Sequence, residues 1–252
     1  MNHKVISHKD SFDLIIKKLR EGKPFTFTRF GDGDYIMMYP GSLNKIVGSS
    51  NRFWVTKSLQ REIIECHNIH DENFLIGSIL NDESDYIMKS YNTGISKAKL
   101  PPLYEHKWVL AMSCLQEILL TDHEKFLEFP REMRKTNTML VGSYNHDNLS
   151  QIFGNVDIFI EVPRRNCYSS IDNWYDKIIE NKHKVGKIVL AAGQSSRVIA
   201  KRLWKSDDIV IDVGSLGDMF MLETGISIPL RTHIKKGSTH INESVLKVLE
   251  NI

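Results

Sequence analysis

The chain alternates short runs of apolar and β-branched residues with stretches in which apolar side chains recur every three or four positions. Phe12, Ile15, Ile16 and Leu19 fall at i, i+3, i+4 and i+7, after an Asp10 or Ser11 cap and before Gly22, which predicts an amphipathic helix. Pro24 to Thr28 alternates as a strand and runs into the turn Gly31-Asp32-Gly33-Asp34. In the middle, Leu59, Ile63 and Ile64 suggest a helix and Phe74 to Ile79 a buried strand. Trp108, Met112, Leu115 and Leu119 form a helical stripe after the Pro101-Pro102 loop.

The last third is more regular. Strands are expected at Thr138–Gly142, Val156–Val162, Lys187–Ala191 and Ile209–Val213. Between them lie helices at Asp147–Phe153, around Ile171, Trp174, Tyr175 and Ile178, and at Ser195–Trp204. Such alternation predicts parallel βαβ units with right-handed crossovers. The expected fold is α/β and Rossmann-like, a mainly parallel sheet with helices on both faces, in a single domain over 1–252. Loop-like sequence at 81–102 is expected to form a lid or acceptor-binding element.

Composition narrows the classes. With 33 basic and 31 acidic residues the net charge is +2, which provides no long-range field for nucleic acid. No apolar run approaches a membrane span, and the N-terminus lacks the apolar stretch of a signal peptide. Cys66, Cys114 and Cys167 are widely spaced and odd in number, arguing against a disulfide framework or a zinc ribbon and for a cytoplasmic protein.

Ligands of parallel α/β sheets collect beyond the carboxyl ends of the strands, and three polar strand ends offer candidate chemistry. The first is Thr28-Arg29-Phe30-Gly31-Asp32-Gly33-Asp34. Two carboxylates spaced D-x-D can bind Mg²⁺ or Mn²⁺, while Gly31 and Gly33 allow a tight turn and Arg29 can fork onto a phosphate. A plain polar hairpin turn is the competing explanation. The second is Ala191-Ala192-Gly193-Gln194-Ser195-Ser196-Arg197, where a helix N-terminus with Ser195 and Ser196 can face an anion or simply be capped. The third is Asp212-Val213-Gly214, with Asp212 placed 19 positions after Gly193. It can hold a ribose or serve as a turn residue. Arg164-Arg165-Asn166, after Pro163, can meet phosphate or sugar, or form a solvated loop. His67 and His70 lack a third zinc ligand, and His123-Glu124 lacks the second His of HExxH.

Together these segments resemble the GT-D glycosyltransferases, a family first catalogued as a bacterial domain of unknown function. The family's early strand ends in a motif like S-R-F-G-D-G-E, matched by Thr28 to Asp34. Its late Gly-x-x-Ser/Thr loop is matched by Ala192 to Ser196, its Asp-x-Gly strand end by Asp212 to Gly214, and its Pro-x-x-Asn turn by Pro163 to Tyr168. The resemblance covers most of residues 11–220.

It implies transfer of a hexose from a nucleotide diphosphate sugar, with a UDP-hexose favoured, to a glycan or glycoconjugate acceptor. It also implies a divalent cation, Mn²⁺ or Mg²⁺, on Asp32 and Asp34, with Arg29 beside them. Gly31, Gly33, Arg164, Asn166, Gly193, Ser195, Ser196, Asp212 and Gly214 are the corresponding donor-binding positions. Asp34 stands where relatives carry Glu, one methylene longer, and Ser215 where many carry His. Two other readings compete. In a Rossmann-type methyltransferase Asp212 would bind a cofactor ribose; in a non-catalytic nucleotide-binding module the Asp pair would be only a turn.

Overall fold

A computed structural model describes residues 6–47, 53–79, 106–143, 147–220 and 239–252. The expected lid at 81–102 lies outside these residues. Seven strands form one sheet: β1 (Phe25–Arg29), β4 (Phe74–Ser78), β5 (Val109–Ala111), β6 (Thr138–Gly142), β7 (Val156–Glu161), β8 (Lys187–Ala191) and β9 (Ile209–Asp212). Their order is β5-β4-β1-β9-β8-β6-β7, and every pairing is parallel. A two-stranded antiparallel ribbon, β2 (Ile46–Val47) with β3 (Phe53–Trp54), stands apart from it.

The helices, in chain order, are α1 (His8–Glu21), α2 (Asp32–Met38), α3 (Lys57–His67), α4 (Cys114–Thr121), α5 (His123–Phe126), α6 (Glu128–Met133), α7 (Asp147–Phe153), α8 (Ile171–Asn181), α9 (Ser195–Leu203), α10 (Leu216–Met219) and α11 (Thr239–Glu250). Alternation along the strands sorts them into two layers. Ile76, Met139, Val141, Ile188, Leu190 and Val210 face a core shared with α2, α3, α8 and α9. Phe27, Leu75, Leu140, Val189 and Ile211 face the other core, shared with α1, α4 to α7, α10 and α11.

Covered on both faces, the inner strands are buried along almost their whole length, and so read as continuous apolar runs. β7, at the sheet edge, is much more open. Packing at the centre is close: a Cβ on Gly77 would come within 3.1 Å of the Phe27 ring. Phe27 is fully buried, and truncating it to Ala is expected to cost about 3–5 kcal/mol.

Several local expectations needed correction. Helix α1 begins earlier than an Asp10 or Ser11 cap would allow: the Ser7 side chain accepts from the Asp10 N–H, and Gly22 ends the helix at φ 62°. The stripe from Trp108 to Leu119 is two elements. Val109–Ala111 is a three-residue buried strand and only Cys114–Thr121 is helical. A strand this short completes no clear period of two, and its apolar residues merge with the helical pattern behind it. The Gly31–Asp34 segment is not a hairpin turn but the start of α2. Gly31 is extended at φ −100°, and Gly33 lies inside the helix, so the two do not make the tight turn expected of them.

Candidate functional site

Strands β1, β9 and β8 are neighbours at the middle of the sheet, and their carboxyl ends converge on four buried charges. β1 ends at Arg29 and leads into α2, whose first turn carries Asp32 and Asp34. β9 ends at Asp212. β8 leads through Gly193, in the left-handed region at φ 58°, into α9, whose first turn carries Arg197.

Arg197 links the two acids. Its Nη2 donates to Asp34 Oδ2 at 2.9 Å, and its Nη1 lies 3.0 Å from Asp212 Oδ2 and donates to the Gly193 carbonyl at 2.8 Å. Asp34 Oδ2 also accepts from the Gly31 N–H at 2.8 Å. Asp212 accepts from the backbone N–H groups of Arg29 and Gly214, at 3.3 and 3.0 Å. The Arg29 guanidinium lies 3.8 Å from Asp212 Oδ1 and donates to the Met112 carbonyl at 3.1 Å. Negative and positive groups therefore alternate: Asp34, Arg197, Asp212, Arg29.

Burial gives the network its energetic weight. Side-chain exposure is 2% for Asp34, 7% for Arg197, 0% for Asp212 and 12% for Arg29. Removing one member of such a buried pair leaves an uncompensated charge, at a cost of about 3–5 kcal/mol. Desolvation raises the Asp34 pKa, although Arg197 and the Gly31 N–H pull the other way. Burial also disfavours the charge on Arg197, but Asp34 and Asp212 outweigh it and its pKa is raised. At Arg29 burial prevails over Asp212, helped by repulsion from Arg197, and the pKa is lowered.

The candidates read from the sequence divide by position. Arg29, Gly31, Asp34, Gly193, Asp212 and Gly214 meet at this network, and Asp32, partly exposed, sits at the first position of α2. Ser195 and Ser196 are fully buried, and their hydroxyls are engaged within the protein. Ser196 Oγ accepts from the Ala192 N–H at 3.1 Å, and Ser195 Oγ accepts from the Cys167 thiol at 3.1 Å. Asp212 is enclosed and both its oxygens are engaged, the position of a site-organising residue.

Arg164 and Asn166 are exposed, Asn166 in the left-handed region at φ 48°. The turn after them lies against the Gly193 loop, with Cys167 Sγ 3.1 Å from Ser195 Oγ and 3.3 Å from the Ala192 carbonyl. Arg164, Glu161 and Lys177 line a cleft of about 690 Å³ along the sheet edge at β7, three strands from Asp212 and thus away from the charged network. His67 is a core residue, edge-on to Phe30, Tyr35 and His106.

Arg197 closes the candidate segment Ala191–Arg197, yet the sequence alone assigned it no role. Its signal was present: it is the third residue of α9, where a cation runs against the helix dipole unless acids compensate it.

No protein-family model and no curated protein sequence matches the chain. Solved structures do. A glycosyltransferase (DUF1792) from Streptococcus sanguinis aligns with a TM-score of 0.69 at 14% identity, over 96% of this chain and 93% of that one. A selenomethionine structure of domain of unknown function 1792 aligns at 0.66, also at 14% identity, over 96% and 89%. A third, described as a highly conserved domain of unknown function 1792 with a distinct glycosyltransferase fold, aligns at 0.60 and 14% identity over the same shares. At this identity the likeness concerns architecture, and it extends over nearly the whole of both chains: this protein has the fold of the DUF1792 glycosyltransferase structures.

Proposed function

We propose that this protein is a metal-assisted glycosyltransferase that moves a hexose from a nucleotide diphosphate sugar to a glycan or glycoconjugate acceptor. The observation that carries the reading is the buried Asp34–Arg197–Asp212–Arg29 network. It stands at the carboxyl ends of the central strands, in a fold shared with structures described as glycosyltransferases.

The residues fit a hard cation. Asp34 Oδ1 is buried without a hydrogen-bond partner, and Asp32 lies two residues earlier at the start of the same helix. Among the described residues no three His, Cys, Asp or Glu side chains gather as a metal site. Mg²⁺ and Mn²⁺ do not need such a cage, since they use one or two carboxylates and take phosphate oxygens and water for the rest. When bound, the cation would neutralise charge on the diphosphate.

In transfer, the bond between the anomeric carbon and the diphosphate oxygen breaks and a bond to an acceptor oxygen forms. Arg29, fixed by Asp212 and the Met112 carbonyl, would stabilise negative charge on the departing diphosphate. The N-terminal end of α9 after Gly193 would hold phosphate, and the exposed Asn166 turn would meet the sugar or nucleotide. UDP-hexose is the favoured donor.

A donor screen tests this reading. Nucleotide diphosphate sugars are incubated with the protein and Mn²⁺ or Mg²⁺, and released nucleoside diphosphate is measured. Slow metal-dependent donor hydrolysis is expected even without an acceptor; turnover of no donor under any metal condition would contradict the proposal.

A further inference from the structure

We infer that Arg197 is a positioning residue of this site, one that sets Asp34 for the donor-side cation while tying it to Asp212. The inference rests on the metal-assisted reading and deepens it. The guanidinium is fixed from three directions: Asp34 of α2, Asp212 of β9 and the Gly193 carbonyl after β8. The three acceptors are shared between the two terminal nitrogens of one planar fork, a spread that the single nitrogen of a Lys ammonium does not reproduce.

A purely structural ion pair would be expected to satisfy both oxygens of a buried carboxylate. Here Arg197 and the Gly31 N–H both occupy Oδ2, while Oδ1 is buried and unpartnered. One oxygen is held and the other is left available as an acceptor. Arg197 also reaches further than Asp34. Through Asp212, which accepts from the Arg29 N–H and lies beside its guanidinium, it registers the end of β1 against that of β9. A basic residue in the first turn of α9 weakens that helix on its own, so its place there follows from the acids it serves.

The test is Mn²⁺ binding to the full chain, followed by electron paramagnetic resonance of the free ion, with circular dichroism and melting as folding controls. In Arg197→Lys the Mn²⁺ affinity is expected to fall at least about tenfold. The double variant Arg197→Lys/Asp34→Asn should bind no more weakly than Asp34→Asn alone, because Arg197 acts through Asp34. Undiminished affinity in Arg197→Lys, or fully additive losses in the double variant, would overturn the inference while the metal site stands. A wild-type protein that takes up no Mn²⁺ would overturn the metal reading and this inference together. If Arg197→Lys does not fold, Asp212→Asn replaces it. Both Asp212 oxygens are already engaged, and the change weakens one of the anchors of Arg197, so a loss of at least about threefold is expected; unchanged affinity would again overturn the inference.

Discussion

Arg29 and Gly214 occupy adjoining space so tightly that a Cβ on Gly214 would lie 1.1 Å from Arg29 Nη2. Gly214 also sits at φ 52°, a conformation that other residues adopt only with strain. Gly214→Ala must therefore displace the guanidinium as well as strain the backbone. Loss of at least about 2 kcal/mol of stability is expected, together with a larger proportional loss of donor turnover. Chemical denaturation and donor hydrolysis check it, and a normal Arg29-dependent rate in the Ala variant would show that the guanidinium need not stay where it is.

Arg29→Lys distinguishes a buried brace from a surface pair. An exposed ion pair contributes only about 0–1 kcal/mol. At 12% exposure, with Asp212 and the Met112 carbonyl as partners, Arg29 should contribute more, and Lys should lose about 1.5–3 kcal/mol of stability. Donor turnover should fall by at least about tenfold, because an ammonium lacks the fork that grips two diphosphate oxygens. Calorimetric melting and donor kinetics read the two effects separately. Full activity in a destabilised Lys variant would make Arg29 structural only.

Much of this arrangement is legible in the sequence. The strands were readable because buried parallel strands are nearly continuous apolar runs bounded by turn residues, as at Lys187–Ala191 and Ile209–Asp212. β5 was not, since three residues carry too little pattern. At the site, types and spacing indicated Asp32, Asp34, Arg29 and Asp212 but not their directions. Local sequence cannot say that Asp212 turns inward, or that Ser196 is used up by the Ala192 N–H. The inward Asp212 is matched by Arg197, which lies 163 residues from Asp34 and meets it only in the folded sheet.

Histidine burial gives a pH dependence. His67 is fully enclosed among Phe30, Tyr35 and His106. Burial, with repulsion from His106, lowers its pKa to about 3, and burial with repulsion from His70 lowers that of His106 to about 4. For a base with a depressed folded pKa, the unfolded chain binds the proton first. Stability is therefore intact above the ordinary histidine pKa of about 6.5 and declines as pH falls toward the folded values. At pH 5 the His67 contribution alone should lower stability by about 2 kcal/mol. Denaturant titrations from pH 8 to 5 measure this, and His67→Phe should flatten part of the slope; an unchanged slope in that variant would assign the acid sensitivity elsewhere.

The central claim is that Asp32 and Asp34 hold a cation for a nucleotide diphosphate donor, and calorimetric titration of UDP with and without Mn²⁺ tests it most directly. Wild-type protein should bind UDP more tightly with Mn²⁺ present, and Asp32→Asn and Asp34→Asn should each lose most of that gain, since each removes a charged oxygen ligand. The Asp34 variant should also melt earlier, because it leaves Arg197 without one of its two acids. UDP affinity indifferent to Mn²⁺, or a metal effect that persists in both Asn variants, would contradict the account.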